Sequence, residues 1–408
     1  MKYKLLKQYY GYDRFRYPQD LIIDNVLSKK DTIALLPTGF GKSVTYQIPA
    51  LILNKLTIII SPLIALMLDQ VEGLKKKGIE VEYLNSSLSF DEQCIIYQKI
   101  KRGKCKMLYV SAERLQNELF IEQIIDLDIE LIAIDEAHTI LWGEGFREAF
   151  IHIDRFIKRL KKRPTILALT ATATNLTIEK IKYYLNLDEV NIVSTNPDRK
   201  NIFYKVVNTN NKKNELLAYI NFHKNKKGII YCLTRKRVEE LSFFLLSNGI
   251  SNVIYHGGLN TEIKEKNQNI FSTGKCNIII CTNAFGMGID ISDIRFVICY
   301  DMPSSLEDLI QQIGRAARDG NYAEGIVYFS FKDLNTINFF IESSNVNESI
   351  KNQLRKKRDN LIDFCLTKKC RHQVLCDYFN EYVDKCRNNC DNCKKRYYWI
   401  KSIICCII

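Results

Sequence analysis

Residues 31–47 read DTIALLPTGFGKSVTYQ, and the fold turns on this stretch. Ile33 to Leu36 make the short apolar run of a buried strand; Gly39 and Gly41 follow in a turn, and Lys42 and Ser43 open an apolar helical pattern. Glycines there let successive backbone N–H groups converge on an anion that a Cβ would obstruct. Lys42 can then reach the outer phosphates of a nucleotide, Ser43 can hold Mg²⁺, and the helix N-terminus adds partial positive charge. Leu36 stands where the general phosphate-loop pattern has glycine, so the strict pattern is matched from Gly41 onward. Taken alone, the segment is either a nucleotide cradle or an ordinary glycine-rich turn.

Downstream, strand, turn and helix signals alternate: LTIIISP before LIALMLDQVEGLKKKG, VEYLNSS before a helix to about Lys101, then CKMLYVSAERL, LIAIDEAH and RPTILALTATAT. Near-continuous apolar strands between helical periods predict a parallel sheet covered on both faces. Ligands of such sheets gather at the carboxyl ends of the strands, where Ser61, Ser111, Asp135-Glu136 and the 170–174 threonines fall. Asp135 can bind Mg²⁺ and Glu136 can orient and deprotonate an attacking water. Two surface acids after a strand are common, but not about ninety residues behind a phosphate loop. Ahead of the loop, Tyr12, Arg16 and Gln19 either frame an adenine ring, Gln19 reading its edge, or merely cap a surface helix.

The pattern repeats in the second half without a phosphate loop: KKGIIYCLTRKRVEELSFFLLSNG, SNVIYHGGL, KCNIIICTNAFGMGIDISDIRFVICYD and DLIQQIGRAARDG. Arg315 and Arg318, three apart, are expected on one helical face, presenting guanidinium groups to a γ-phosphate. Alone, they would read as exposed arginines.

Composition narrows the partners. The 408 residues suit two or three domains, and 46% hydrophobic with 26% charged residues is the balance of a folded soluble chain. The net charge is +13, and residues 351–400 carry thirteen Lys/Arg against six Asp/Glu, which favours a local surface for a polyanion such as nucleic acid. The N-terminus lacks the apolar core of a signal peptide, and the longest apolar stretch, 56–68, is too short to span a bilayer. No membrane association and a soluble intracellular location are expected. Eight of the fourteen cysteines lie at or after Cys365, a metal-site distribution rather than a disulfide framework.

In order, PTGFGKS, SPLIALMLDQV, LNSSLS, YVSAERL, DEAH, ALTATAT, GIIYC, YHGGL, AFGMGID and QQIGRAARDG resemble the superfamily 2 helicases, specifically the RecQ family of DNA helicases, from about Tyr10 to Cys393. The resemblance implies an α/β chain of two tandem RecA-like lobes, 1–197 and 198–335, then a helical zinc-binding module, 336–395, and a basic and apolar tail, 396–408. It implies an ATP-dependent DNA helicase of DNA repair and recombination, hydrolysing ATP with Mg²⁺ between the lobes and moving 3′ to 5′ on single-stranded and forked DNA. Lys42, Asp135, Glu136, Arg315 and Arg318 become the catalytic set. Tyr12, Arg16, Gln19, Thr38, Gly39, Gly41, Ser43 and Gln311 join Lys42 and Asp135 around the nucleotide, and Leu36 is normal for the family.

The segment after His138, TILWGEGFREAF, resembles the family's aromatic-rich loop, shortened by one residue and with Glu144-Gly145 in place of a His-Asp pair. Trp142 and Phe146 offer flat faces for bases and Arg147 a cation, although Trp142 packed in the core is the alternative. Ser61, Gln70, Ser111, Arg114, Thr234, Arg235 and Thr282 are candidates for gripping the strand backbone, and Thr170 and Thr172 for coupling the two sites. Cys370, Cys386, Cys390 and Cys393 resemble the family's zinc ligands, a structural Zn²⁺ site, with Cys376, Cys365 or His372 as substitutes should Cys370 point away. A short form without winged-helix and HRDC domains is expected, as is a monomer. An RNA helicase or remodelling ATPase is the alternative, and a non-enzymatic nucleic-acid-binding module a third reading, opposed by the intact catalytic set.

Overall fold

The computed structural model describes residues 1–62, 64–85, 88–144, 148–171, 173–286 and 291–394. The chain divides into two compact units, Met1–Pro197 and Asp198–Ile408.

The first unit is built on seven strands: β1 Thr32–Leu35, β2 Leu56–Ile60, β3 Val81–Leu84, β4 Met107–Val110, β5 Ile129–Ile134, β6 Thr165–Thr170 and β7 Asn191–Ser194. They lie in the order β3-β4-β2-β5-β6-β1-β7, every pairing parallel. Parallel neighbours need crossover connections, and the intervening helices bury both sheet faces. Alternate residues of one strand therefore enter different cores. Ile58, Ile60, Ile132, Ile134 and Ile166 pack on one side, and Ile59, Leu131, Ala133, Leu167 and Leu169 on the other. Each fully buried isoleucine contributes about 1.5–3 kcal/mol.

Register brings the strand ends level: Leu35 lies opposite Thr170, Ile60 opposite Val110 and Ile134, and Ile134 opposite Ala168. The residues that follow β1, β2, β4 and β5, and Thr170 at the end of β6, thus line one edge of the sheet. The helix Val44–Ile52 starts there, with Ser43 at its N-cap.

The second unit holds β8 Ile202–Asn208, β9 Gly228–Tyr231, β10 Val253–Tyr255, β11 Ile278–Cys281, β12 Phe296–Cys299 and β13 Ala323–Phe329. Their order is β10-β11-β9-β12-β13-β8, again wholly parallel. Both sheets agree with the expected α/β class. The helix Phe331–Ser343 crosses position 335, and the helices Glu348–Leu366 and Arg371–Tyr378 follow. Leu361, Phe364, Cys370, Leu375 and Cys390 belong to the same core as Ile202, Tyr204 and Phe329. The cysteine-rich segment is thereby seated on the sheet of the second unit. Among the described residues no helix is long and apolar enough to cross a membrane.

Candidate functional site

The phosphate loop joins β1 to the helix Val44–Ile52, with Gly39 and Gly41 both at φ 79°. Gly41 holds a conformation that L-residues disfavour, and a Cβ there would sit 2.8 Å from Gln19 Nε2, displacing that amide. Gln19 braces the loop directly. Its Nε2 donates to the carbonyls of Phe40 at 2.8 Å and Gly41 at 3.1 Å, and its Oε1 accepts from the Arg16 N–H at 2.9 Å. Arg16 Nη1 donates to the Gly39 carbonyl at 3.2 Å. Gln19 therefore directs its amide to the loop backbone. Tyr12 is 59% exposed. Ser43 makes no side-chain cap to its helix, while Thr45 Oγ1 donates to the Lys42 carbonyl at 2.6 Å.

Across the sheet edge, Lys42 Nζ lies 2.9 Å from Glu136 Oε1. Asp135 Oδ1 accepts from the Glu136 N–H at 2.9 Å, and Glu136 adopts φ 49° in the turn that ends β5. Burial, aided by the neighbouring Glu136 charge and opposed by Lys42, lifts the Asp135 carboxyl to about 6. The buried Asp135 carboxyl offers the oxygen ligand that a hard divalent cation takes. His138 Nδ1 lies 3.0 Å from Thr170 Oγ1, tying the turn after β5 to the end of β6.

The strand-gripping candidates divide. Ser61 and Ser111 do follow β2 and β4 at the sheet edge; Ser61 is 2% exposed, and among the described residues none hydrogen-bonds its hydroxyl. Gln70 Oε1 accepts from Gln47 Nε2 at 2.8 Å, and Arg114 Nη2 donates to Gln93, so both side chains are engaged within the unit. In the second unit Thr234 follows β9 as the cap of the helix Arg235–Ser247, accepting from Arg237 N–H at 3.2 Å. Arg235 packs against Gly257 and Gly258 beyond β10, and Thr282, beyond β11, accepts from Ala284 N–H at 3.4 Å. Phe146, Arg147 and Thr172, the Trp142 side chain and the tail from 395 lie outside the described residues.

Arg315 and Arg318 correct the sequence reading. The helix Leu306–Ile313 ends before them, and Ala317 between them takes φ 50°, so they share a turn rather than a helical face. The reason lies 115 or more residues upstream, where Arg199 takes the carbonyls of Gly314, Ala316 and Ala317 that a continuing helix would have used. Arg315 is 6% exposed and lies over Gly286, at φ 125°, where a Cβ would come within 2.2 Å of Arg315 Nε. Gln311 is half-buried; its neighbour Gln312 donates to Asn283 Oδ1 at 2.6 Å and accepts from the Cys299 thiol at 3.1 Å.

The Sγ atoms of Cys370, Cys386, Cys390 and Cys393 all lie within 4.8 Å of one another. Tetrahedral zinc with bonds of about 2.3 Å separates its sulfurs by about 3.8 Å, so the four fit the ion with little adjustment. A hydrogen bond from Cys390, with backbone N–H groups assisting, draws the Cys370 thiol well below its ordinary value, the direction that favours a thiolate. None of the substitutes is needed. His372 is turned to Asp198 and, through Nε2 at 3.0 Å, to the Asn389 carbonyl, and Cys365 and Cys376 pack as buried thiols. Arg371 pairs with both carboxylate oxygens of Asp391, and Oδ2 also accepts from the Val206 N–H at 3.0 Å, pinning the cluster to β8.

Three families match successive parts of the chain. Residues 16–181 match the DEAD/DEAH box helicase family, 211–320 the helicase conserved C-terminal domain and 331–394 the RecQ zinc-binding family. The ATP-dependent DNA helicase RecQ of Bacillus subtilis is 39% identical over 394 residues, 95% of this chain and 66% of the relative. A putative ATP-dependent RNA helicase of Acanthamoeba polyphaga mimivirus is also 39% identical, over 96% of this chain and 71% of the relative. This chain belongs to the RecQ family of helicases. It spans 61–66% of the length of the three bacterial RecQ relatives. Saccharomyces cerevisiae Dbp5 bound to RNA and ADP BeF3 superposes with a TM-score of 0.67 at 18% identity, over 87% of this chain and 97% of Dbp5, a likeness of fold.

Arg199, Asn201, Gln47, Asp391 and Asn389 carry no signal in the sequence of this RecQ chain. Each acts on backbone or side chains distant in sequence. Arg199 and Asn389 stood in the open as polar residues beside a motif, but no spacing marked their partners.

Proposed function

We propose that this RecQ chain is an ATP-driven DNA motor that hydrolyses ATP at the phosphate loop, moves 3′ to 5′ on single-stranded DNA and unwinds duplex. The contact that carries the reading is Lys42 Nζ at 2.9 Å from Glu136 Oε1, beside buried Asp135. The loop from Thr38 to Ser43 cradles the phosphates with its N–H groups, and Lys42 exchanges Glu136 for phosphate oxygens. Glu136, released, orients the attacking water and takes its proton. Mg²⁺, when bound, neutralises charge on the β and γ oxygens; Ser43 and Asp135 are the residues that would hold it. Arg315 and Arg318 give guanidinium groups to the γ-phosphate. Structural zinc at Cys370, Cys386, Cys390 and Cys393 holds the segment after 336 in shape.

Ser61, Ser111, Thr234, Arg235 and Thr282 follow strand ends and suit backbone contacts that do not read sequence. The mimivirus relative, named as an RNA helicase, supports the second reading, in which the strand is RNA. Steady-state ATP hydrolysis with single-stranded DNA or RNA, beside unwinding of forked duplexes carrying a 3′ or a 5′ tail, decides. Stimulation by DNA and opening of the 3′-tailed fork, both absent in Lys42→Ala, are expected. Stimulation by RNA alone would overturn the DNA reading, and failure on both forks with DNA-stimulated hydrolysis intact would leave a translocase.

A further inference from the structure

The segment Asp198–Asn201 enters β8 with side chains committed in two directions. On one side Arg199 donates from Nη1 to the Gly314 carbonyl at 3.2 Å and from Nη2 to those of Ala316 at 2.9 Å and Ala317 at 3.0 Å. Asn201 Nδ2 donates to the carbonyls of Ala317 and Asn321, each at 3.0 Å. These five bonds enclose the turn that carries Arg315 and Arg318. Ala317 within it holds φ 50°, a conformation that a non-glycine residue keeps only where its surroundings impose it. The turn owes its shape to these side chains, which come from far upstream.

On the other side the segment is tied to the cysteine cluster. Asp198 Oδ1 meets His372 Nδ1, and Asn389 Nδ2 donates to the carbonyls of Lys200 and Ile202, each at 2.9 Å. Asn389 lies between Cys386 and Cys390, so its side chain is aimed by the same loop that brings those two sulfurs together.

We propose that Arg199, with Asn201, is the positioning residue of the arginine turn, and that Asn389 makes the zinc-binding segment the anchor from which it acts. The inference rests on the proposed contact of Arg315 and Arg318 with the γ-phosphate. The planar guanidinium of Arg199 reaches these carbonyls from two rigidly spaced nitrogens, Nη1 and Nη2, whereas an ammonium donates from a single point, so lysine is a poor substitute. A displacement of about 1 Å in a group acting on the transition state costs about 100-fold in rate, and the loss falls on turnover rather than on nucleotide affinity.

The test uses the full chain with saturating single-stranded DNA, reading kcat and KM for ATP, the Kd of a fluorescent ATP analogue, zinc content and urea unfolding. Arg199→Ala is expected to lower kcat by about 100-fold with Kd within about twofold of wild type, and Arg199→Lys to recover less than about a tenth of the loss. Asn201→Ala carries the same test should Arg199→Ala fail to fold, with kcat lowered about fivefold. Added to Arg315→Ala/Arg318→Ala, Arg199→Ala should cost no more than about twofold further, because its effect passes through those side chains. A full multiplicative loss there, or wild-type turnover by Arg199→Ala, overturns the positioning role. Asn389→Ala should keep its zinc yet lose turnover as Asn201→Ala does; unchanged turnover overturns the anchor. Wild-type turnover by Arg315→Ala/Arg318→Ala would instead overturn the arginine assignment itself, an outcome distinct from an inactive double variant beside an active Arg199→Ala.

Discussion

Lys42 Nζ and Glu136 Oε1 are 2.9 Å apart, with side chains 11% and 13% exposed, so the phosphate-loop lysine and the acid after β5 neutralise each other. A phosphate arriving at Lys42 must displace Glu136. Glu136→Gln keeps the shape and removes the charge, replacing a charge-assisted bond with a neutral one that is weaker by about 1 kcal/mol. The variant should therefore bind a fluorescent ATP analogue about fivefold more tightly while hydrolysis falls at least about 100-fold. Weaker binding than wild type, measured by titration, would contradict the competition.

Gln19 supplies two donor bonds to the Phe40 and Gly41 carbonyls and accepts one from Arg16 N–H. Gln19→Glu would set a carboxylate oxygen against those carbonyls, whereas Gln19→Ala only removes the brace. Glutamate should be the worse of the two, destabilising the first unit by about 2 kcal/mol in urea against about 1 kcal/mol for alanine. Equal effects would mean that the donor hydrogens do not matter.

How much of this was legible in the sequence depends on the range of the interaction. The central strands were, because Ile58 to Ile60 and Ile132 to Ile134 bury both faces and read as unbroken apolar runs. The edge strand β7, Asn191–Ser194, was not, since only Val193 of its four residues is buried. The places of Lys42 beyond β1 and Asp135-Glu136 beyond β5 were legible because an apolar strand run leads into each. The geometry of Arg315 and Arg318 was misread for the opposite reason: GRAAR looks helical locally, and the side chain that ends the helix, Arg199, lies 115 residues before Gly314. The bonds of Gln19 to the loop carbonyls were not legible, because they depend on an approach across 21 residues that no local pattern encodes.

Cys390 is fully buried, and Tyr204 in β8 forms a bridge with it, so the sulfur cluster and the second sheet share one core. Structural zinc contributes on the order of 10 kcal/mol to folding. Cys390→Ser should reduce zinc from about one ion per chain to near zero in a metal assay, and a strong chelator should do the same to the wild type. In both, urea unfolding should lose the contribution of the second unit and keep that of the first. A variant that lost zinc and unfolded as the wild type does would remove the metal from the structural role proposed for it.

Asp319 closes the arginine turn. Its Oδ1 accepts from Arg295 Nη1 at 3.1 Å, its Oδ2 from Arg295 Nη2, and both oxygens accept from Asn321 at 3.0 Å. Hydrogen bonding from Arg295 holds its carboxyl down at about 2, below the ordinary 3.8. A carboxyl with a lowered folded value adds stability that is present above about pH 4 and is lost as pH falls toward 2. The pair is near the surface, so screening limits the gain to less than about 1 kcal/mol. Asp319→Asn should thus unfold at slightly lower urea than wild type at pH 7, with the two curves converging only below about pH 2. A difference that persisted or grew in acid would show that Asp319 acts through packing rather than through its charge.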